Sequence, residues 1–393
     1  MAISRKMEES MSRSSWIRQM FEEGERMKQI HGAANVFDFS LGNPVLEPPP
    51  EVHATLIRLL QSNQGLHRYM PNAGLPGTRQ FVADELSLQT GLKFDKIDVV
   101  LSVGAGGGLN ALFKAILDPE DEVVALAPYF VEYGFYVDNH GGKLVVAHTD
   151  KTFQPELNNL DAVMTSKTKA VIINSPNNPT GVVYSQETIN QLGSFLREKE
   201  KQWGHPIFLI SDEPYRNIVF DDIQPGNVFL SHPNSVMVTS HSKDLGLAGE
   251  RIGFVAIHPD MEDRKSLQNA LVLTTRILGF VNAPALMQHL LPELKGVRIS
   301  SAIYQDLRDL FYDALTGMGF KIIKPQGAFY MFPESPVKDE IEFIRQALTE
   351  NLLLVPGRGF GSPGYFRIAY CFERDKIERS LERFERLAQF YGL

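Results

Sequence analysis

The stretch Ser240–Gly253 carries one lysine beside two hydroxyl side chains, several glycines and an arginine. The amine of Lys243 can condense with an aldehyde. The hydroxyls of Ser240 and Ser242, the guanidinium of Arg251 and free backbone N–H groups can bind a phosphate. Together these groups suit an aldehyde that carries a phosphate, such as pyridoxal phosphate. The stretch taken alone is also compatible with a solvated lysine in a surface turn, which is where most lysines lie.

An aspartate stands at the end of another apolar run. Asp212 follows Ile207–Ile210, and a carboxylate is costly to bury unless it has a partner. A protonated pyridine nitrogen would be such a partner, and Tyr215 could donate to a phenolic oxygen of the same ring. A helix N-cap or a metal ligand would also explain Asp212. Since no His or Cys cluster lies near it in the sequence, we expect no metal site.

Three further segments place glycine, aromatic or amide residues after apolar runs. Gly104–Asn110 opens a helix whose first N–H groups could approach a phosphate, and a flexible turn is the alternative. Phe130 could stack on a flat ring or belong to the core. Asn174–Gly181 is dense in asparagine. Its Asn178–Pro179 bond is a candidate for a cis peptide that would aim the Asn178 amide at a ligand oxygen.

An arginine stands inside the strand-like run Tyr365–Tyr370. Burying Arg367 among aromatic and aliphatic residues would be justified by a bidentate carboxylate partner. That partner could be a structural Asp or Glu, or a substrate.

Seven short apolar runs without polar alternation connect these segments, and such runs are typical of strands buried on both faces of a mostly parallel sheet. The runs are Val99–Val103, Glu122–Ala127, Lys143–Ala147, Ala170–Ile173, Ile207–Ile210, Ser235–Thr239 and Ile252–Ile257. Helical patterns at Leu109–Leu117, Gln186–Lys199 and Asp263–Leu278 alternate with them. We therefore predict an α/β fold whose mostly parallel seven-stranded sheet is sandwiched by helices. In such sheets ligands bind beyond the carboxyl ends of the strands.

From Pro284 onward strands and helices mix, which predicts a smaller α+β domain. The predicted helices are Ile299–Met318, Glu340–Thr349 and Asp375–Phe390. The predicted strands are Lys321–Lys324, Phe329–Phe332, Leu352–Val355 and Phe366–Tyr370. We expect a large domain over residues 51–288 and a small domain built from residues 1–50 and 289–393, with residues 1–13 as a loose N-terminal arm.

The composition is that of an ordinary globular enzyme, with 43% hydrophobic and 22% charged residues among 393. The net charge of -8 argues against nucleic-acid and anionic-membrane partners. The single cysteine, Cys371, excludes an internal disulfide framework and fits a reducing compartment. No run approaches the ~20 apolar residues that cross a bilayer, and no signal-peptide pattern stands at the N-terminus. We expect a cytoplasmic protein without membrane contact.

These segments, taken as a set and in order, resemble the class I and II pyridoxal-phosphate-dependent aminotransferases of the aspartate-aminotransferase type, which have fold type I. The resemblance covers the chain from about Phe37 to its end. The segments that carry it are Ser40–Pro44, Gly104–Asn110, Asn177–Gly181, Asp212–Tyr215, Ser242-Lys243 with Gly249–Gly253, Pro356–Gly361 and Arg367.

The resemblance implies a role for each residue. Lys243 is the catalytic residue, which forms a Schiff base with pyridoxal 5'-phosphate and moves the proton of the substrate α-carbon. Asp212 pairs with the pyridine nitrogen. The other implied cofactor contacts are Tyr215 and Asn178 at the phenolic oxygen, Phe130 on the ring, and the backbone of Ala105 and Gly106 with Ser240, Ser242 and Arg251 at the phosphate. The implied contacts of the substrate α-carboxylate are Arg367, Asn178 and the backbone of Gly42.

Tyr69 matches the family's tyrosine that reaches the phosphate of the neighbouring subunit, which implies a homodimer with shared active sites. Gly106 departs from the family, where many members have a hydroxyl residue, so backbone N–H groups must contribute more of the phosphate binding. A second substrate arginine has no clear counterpart. The candidate readers of a substrate side chain are Arg276, Glu132, Tyr133 and Arg358.

The function implied is transamination between an α-amino acid and a 2-oxo acid. The alternative is another enzyme of the same scaffold: a carbon–sulfur lyase, a decarboxylase or an aminocyclopropane-carboxylate-type synthase. A regulator derived from the scaffold is disfavoured, because the segment before Phe37 is short for a DNA-binding domain and not strongly basic. The sequence leaves the amino donor and acceptor open.

Overall fold

The structure is a computed structural model that describes residues 3–13, 15–62 and 65–393. In these ranges the helices are α1 (Arg5–Arg13), α2 (Ser15–His31), α3 (Pro50–Ser62), α4 (Pro76–Thr90), α5 (Gly104–Ile116), α6 (Tyr133–Asp138), α7 (Leu157–Val163), α8 (Gln186–Trp203), α9 (Arg264–Ile277), α10 (Ala285–Leu290), α11 (Ser301–Gly317), α12 (Glu340–Thr349) and α13 (Arg374–Tyr391).

The strands in the same ranges are β1 (Phe37–Asp38), β2 (Val99–Val103), β3 (Glu122–Ala127), β4 (Lys143–His148), β5 (Thr168–Asn174), β6 (Phe208–Asp212), β7 (Ser235–Ser240), β8 (Ile252–Ile257), β9 (Tyr330–Met331), β10 (Leu352–Leu353), β11 (Val355–Pro356) and β12 (Phe366–Ala369).

Seven strands form the central sheet in the order β2-β8-β7-β6-β5-β3-β4. Only β8 runs antiparallel to its neighbours β2 and β7. Successive residues of β5 point to opposite faces, and both faces are covered: Val171 and Ile173 join one apolar cluster, Ala170 and Ile172 another. This two-sided burial explains why the strands read as continuous apolar runs. The predicted fold class is confirmed.

A second region joins the two ends of the described chain. Strand β1 pairs in parallel with β10, and β9, β11 and β12 form a small antiparallel sheet. The core beneath them is rich in phenylalanine, with Phe39, Phe311 and Phe384 in mutual ring contact. The domain bounds at residues 50/51 and 288/289 remain a prediction.

Several local predictions need correction. Residues 5–13 of the predicted loose arm form helix α1, and residues 321–324 form no strand. The helix predicted at Leu109–Leu117 begins five residues earlier, at Gly104, so the glycine-rich segment opens it as expected. Helix α4 is absent from the predicted helices, although its buried Val82, Ala83 and Leu86 follow helical spacing between Pro76 and Gly91. None of the helices in the described ranges is long and apolar enough to cross a membrane.

Candidate active site

One cavity opens at the carboxyl edge of the central sheet, as expected for this architecture. Loops after β2, β3, β5, β6 and β7 reach it. Strand β8 is antiparallel, so the residue before it, Arg251, lies at the same edge. Of the predicted site residues, all except Arg367 and Tyr69 line this cavity: Gly42, Ala105, Gly106, Phe130, Asn178, Asp212, Tyr215, Ser240, Ser242, Lys243 and Arg251.

Lys243 lines this cavity and is half-buried. Its Nζ donates to the carbonyl oxygen of Gly42 at 2.8 Å and lies 5.5 Å from the centre of the Phe329 ring. Burial lowers the pKa of Lys243 to about 8, and the positive charges of Arg251 and Arg367 act in the same direction. A far larger fraction of this amine is neutral near pH 8 than of an ordinary lysine, so it can serve as nucleophile and base.

Asp212 ends β6 and is only 5% exposed. Its Oδ2 accepts a hydrogen bond of 2.6 Å from the hydroxyl of Tyr133, while its buried Oδ1 has no partner among the described residues. Burial raises the pKa of Asp212 to about 7, the Tyr133 bond opposes the shift, and the charge of Glu213 adds to it. An orphaned buried carboxylate oxygen facing a cavity is suited to a cationic or N–H partner.

Arg367 lies in β12, beside the cavity, and is 6% exposed. Its Nη1 donates to Oδ1 of Asn178 at 3.1 Å, its Nη2 donates to the carbonyl of Ser40, and its Nε has no partner in the described part of the chain. The guanidinium lies 4.9 Å from the ring centres of both Tyr330 and Phe360. The arginine therefore retains a free donor although it is almost fully enclosed.

Asn178 is placed by its neighbours in the loop after β5. Its N–H donates to Oδ1 of Asn174 at 2.7 Å, and the Asn178–Pro179 peptide is cis, as predicted. Asn174 in turn donates to the carbonyl of Asp212 at 2.7 Å. The two asparagines thus connect the aspartate loop to the arginine.

Tyr330 is a cavity residue that no sequence pattern singles out, because it is one aromatic position of a short apolar strand. Its hydroxyl lies 2.9 Å from that of Tyr215. A Cβ built on Gly42 would lie 1.9 Å from this hydroxyl, so Tyr330 packs directly against the Gly42 backbone and leaves no space for a side chain there.

The other end of the cavity collects groups that bind anions. The hydroxyls of Ser240 and Ser242 are 3.1 Å apart, and Arg251 adopts a left-handed backbone with φ of 53°. A Cβ on Gly104 would lie 2.6 Å from Nη2 of Arg251, so glycine is required for the guanidinium to reach this place. The first turn of α5, with Ala105 and Gly106, adds backbone N–H groups and the positive end of a helix.

The four residues that were candidates for binding a substrate side chain lie in different environments. Tyr133 is wrong as a reader, since it is buried and bonded to Asp212. Arg358 forms ion pairs with Glu340 at 2.8 Å and Asp339 at 2.6 Å. Glu132 is half-buried, and burial raises its pKa. Arg276 is exposed on α9.

Tyr69 does not line the cavity. It is 91% exposed, the highest value among the exposed large hydrophobic residues in the described part of the chain. In a single chain, therefore, the tyrosine stands apart from the other predicted site residues.

Comparison with known proteins gives one consistent result. The family model described as aminotransferase class I and II matches residues 34–384. Aspartate/prephenate aminotransferase of Thermus thermophilus is 32% identical over 355 residues, which cover 88% of this chain and 89% of the relative. Aspartate aminotransferase of Bacillus subtilis is 30% identical over 380 residues, 93% of this chain and 94% of the relative.

Solved structures agree. A crystal structure of an amino transferase from Eubacterium rectale superimposes with a TM-score of 0.96 at 38% identity over 100% of both chains. The aspartate aminotransferase of Thermus thermophilus with maleate superimposes with a TM-score of 0.84 at 27% identity, covering 95% of this chain and 96% of that one.

The chain therefore belongs to the class I and II aminotransferases. The predicted enzyme class, a pyridoxal-phosphate-dependent aminotransferase that catalyses transamination, is confirmed. The lyase, decarboxylase and synthase alternatives are not favoured by these relatives.

Proposed function

We propose that the cavity binds pyridoxal 5'-phosphate and that Lys243 is the catalytic residue of the transamination. The observation that carries this proposal is the pairing, in one cavity, of a half-buried amine with a lowered pKa and a buried carboxylate oxygen that lacks a partner among the described residues. The amine suits the aldehyde of the cofactor. The free Oδ1 of Asp212 suits its protonated ring nitrogen.

The remaining residues of the cavity are suited to the phosphate, the phenolic oxygen and the ring of the cofactor, and to the substrate. Ser240, Ser242, Arg251 and the backbone of Ala105 and Gly106 would hold the phosphate. Tyr215 and Asn178 would contact the phenolic oxygen, and Phe130 would stack on the ring. Arg367, Asn178 and the Gly42 backbone would bind the substrate α-carboxylate, with the unpartnered Nε of Arg367 as the free donor.

The bound cofactor supplies an electron sink for the pair of electrons left when the substrate α-carbon loses its proton. The residues of the chain transfer the proton and position the cofactor and the substrate. Lys243 takes and returns that proton through its Nζ, and its lowered pKa keeps a neutral fraction available for this work. Asp212 holds its charge against the ring nitrogen, and Arg367 fixes the carboxylate so that the α-carbon faces Lys243.

The substrates we propose are an α-amino acid and a 2-oxo acid. Aspartate is the first donor to test, because relatives at 30–32% identity over most of the chain are named aspartate or aspartate/prephenate aminotransferases. A panel of amino donors against 2-oxoglutarate and pyruvate would rank the alternatives.

We further propose a cytoplasmic homodimer with shared active sites. The 91% exposure of Tyr69 supports this, because tyrosine is enriched in protein–protein interfaces. Tyr69 would then reach the phosphate bound in the partner subunit. The one cysteine, Cys371, is buried and free, which fits a reducing compartment. The large and small domains would keep the bounds predicted from the sequence.

The test is to fix the cofactor to the protein by borohydride reduction and map the modified peptide. We expect the label on Lys243. In Lys243→Ala the label should be absent and the rate of transamination should fall by about 10³-fold or more, since a positioned proton-transfer group contributes about 10²–10⁴.

The matched control is Lys265→Ala, which removes an exposed lysine of α9. It should keep both the label and the rate. A label on another lysine, or a Lys243→Ala variant that transaminates at the wild-type rate, would refute the proposal. Circular dichroism of Lys243→Ala checks that the fold is intact.

A further inference from the structure

Tyr136 is a cavity residue to which neither the sequence nor the proposed function assigns a task. It lies on α6, and its half-buried ring packs against the apolar cluster that contains Leu109 and Leu112 of α5. Its side chain lines the same cavity as Gly106, Ser242 and Arg251. The ring is therefore anchored by the core while the residue faces the anion-binding end of the site.

The hydroxyl of Tyr136 stands where a side chain at position 106 would be. A Cβ built on Gly106 would lie 3.0 Å from Oη of Tyr136 and 3.7 Å from its Cζ. The first distance is tighter than ordinary van der Waals contact, and the second is an ordinary contact. The hydroxyl alone thus occupies the space beside the first turn of α5, next to backbone N–H groups that are free to bind an anion.

This hydroxyl has no hydrogen-bond partner among the residues that the structure describes, although a half-buried tyrosine hydroxyl usually finds one. Burial raises the pKa of Tyr136 to about 12, the charges of Glu132 and Asp212 add to the shift, and Arg251 opposes it. The hydroxyl consequently keeps its proton at neutral pH and can donate a hydrogen bond. An anion bound by Arg251 can accept this hydrogen bond.

We propose that the Tyr136 hydroxyl donates a hydrogen bond to the phosphate of the cofactor, in the place that a hydroxyl side chain at position 106 would otherwise take. The inference rests on the proposed cofactor site. It adds a side-chain donor to the expectation that backbone N–H groups contribute more of the phosphate binding because of Gly106. It also explains the glycine, because a side chain at position 106 and the Tyr136 hydroxyl compete for one space.

The experiment compares two ligands that differ only in the phosphate. Full-length protein freed of cofactor is titrated with pyridoxal 5'-phosphate and with pyridoxal, and both dissociation constants are measured by absorbance. In Tyr136→Phe we expect the constant for pyridoxal 5'-phosphate to rise about 10- to 100-fold, the range for a hydrogen bond to a charged group. The constant for pyridoxal should stay unchanged. The control is Tyr129→Phe, which removes a hydroxyl outside the lining residues and should change neither.

A second variant tests the shared space. Gly106→Ser should weaken the binding of pyridoxal 5'-phosphate when Tyr136 is present, since the added Cβ crowds the hydroxyl. In the Tyr136→Phe background the nearest atom is the ring carbon at 3.7 Å. There the serine should fit, supply the missing hydroxyl and restore at least part of the lost affinity.

Unchanged phosphate-dependent binding in Tyr136→Phe, or equal losses for both ligands, would overturn the inference. So would a double variant that binds no better than Tyr136→Phe. Wild-type protein that binds neither ligand would refute the proposed cofactor site itself. If the wild type binds pyridoxal 5'-phosphate and Tyr136→Phe binds it equally well, this inference is refuted and the proposed cofactor site is not.

Discussion

Asp212 and Arg367 are two buried charges of opposite sign at one site, and the fold holds them in different ways. The carboxylate has a single hydrogen-bond donor, Tyr133, and one free oxygen. The guanidinium lies between the Tyr330 and Phe360 rings and donates to two oxygens, yet its Nε is also free. Both side chains thus keep one unsatisfied atom.

Burial pushes both groups toward their neutral forms, with unequal results. It raises the pKa of Asp212 to about 7, within reach of physiological pH, and lowers the pKa of Arg367 from a value so high that the group stays charged. Asp212 can therefore be protonated and neutral while no cation is bound. Arg367 stays charged, so the aromatic rings and oxygen acceptors around it must stabilise the charge at all times. The first arrangement suits a resident cationic partner, and the second suits an anion that enters and leaves at each turnover.

The largest expected effect comes from Asp212→Asn, which removes the charge but keeps the shape. We expect kcat to fall by about 10³-fold, because losing one member of a buried ion pair costs about 3–5 kcal/mol. The ring nitrogen would then lose the charge that keeps it protonated. Steady-state kinetics with the best donor, together with the dissociation constant of the cofactor, measure both consequences.

Asp212→Glu keeps the charge and serves as the control for that loss. It should retain more activity than Asp212→Asn. If the asparagine variant were the more active of the two, the charge of Asp212 would not be its contribution, and the contrast with Arg367 would fail.

Arg367→Lys should affect the substrate and spare the cofactor. Lysine keeps the charge but loses the planar fork that reaches Asn178 and Ser40 while leaving Nε for a ligand. We expect kcat/KM for the amino acid to fall by about 10²-fold, within the about 2–5 kcal/mol range for a buried, hydrogen-bonded charge pair. The dissociation constant of pyridoxal 5'-phosphate should remain as in the wild type. A variant that loses cofactor instead would place Arg367 in the same class as Asp212.

The smallest expected effect comes from Tyr133→Phe. The Tyr133 hydroxyl lowers the pKa of Asp212 by stabilising the carboxylate, so its removal should raise that pKa further above its value of about 7. Because the cationic ring prefers ionised Asp212, cofactor affinity should increase with pH through this pKa. The midpoint should lie at higher pH in the variant, with an affinity at pH 7 about fivefold weaker, as for the loss of about 1 kcal/mol.

Titrations of cofactor affinity between pH 5 and pH 9, paired for wild type and Tyr133→Phe, check this shift. Lys243 also titrates in the interval, and the paired design cancels its contribution. Superimposable profiles would mean that Tyr133 only packs against Asp212.

The residues at the strand ends can be recognised from the sequence alone, because each belongs to a short, distinctive run beside an apolar strand. Lys243, Asp212 and Asn178 are examples, and Asn178–Pro179 stands out as a candidate for the cis bond that the structure contains. Tyr136 and Tyr330 cannot be recognised in this way. One lies on a six-residue helix and the other in an aromatic strand, and neither has a local pattern that distinguishes a ligand contact from core.

What the sequence determined by itself was local: the strands, from apolar runs buried on two faces, and the chemistry of the site, from residue types in fixed order. The tertiary structure decided which distant groups meet. Arg367 binds Asn178 across 189 positions of the chain and Ser40 across 327. Such contacts, like that between the Tyr136 hydroxyl and Gly106, result from the packing of helices and strands. The spacing of the residues along the chain does not reveal them.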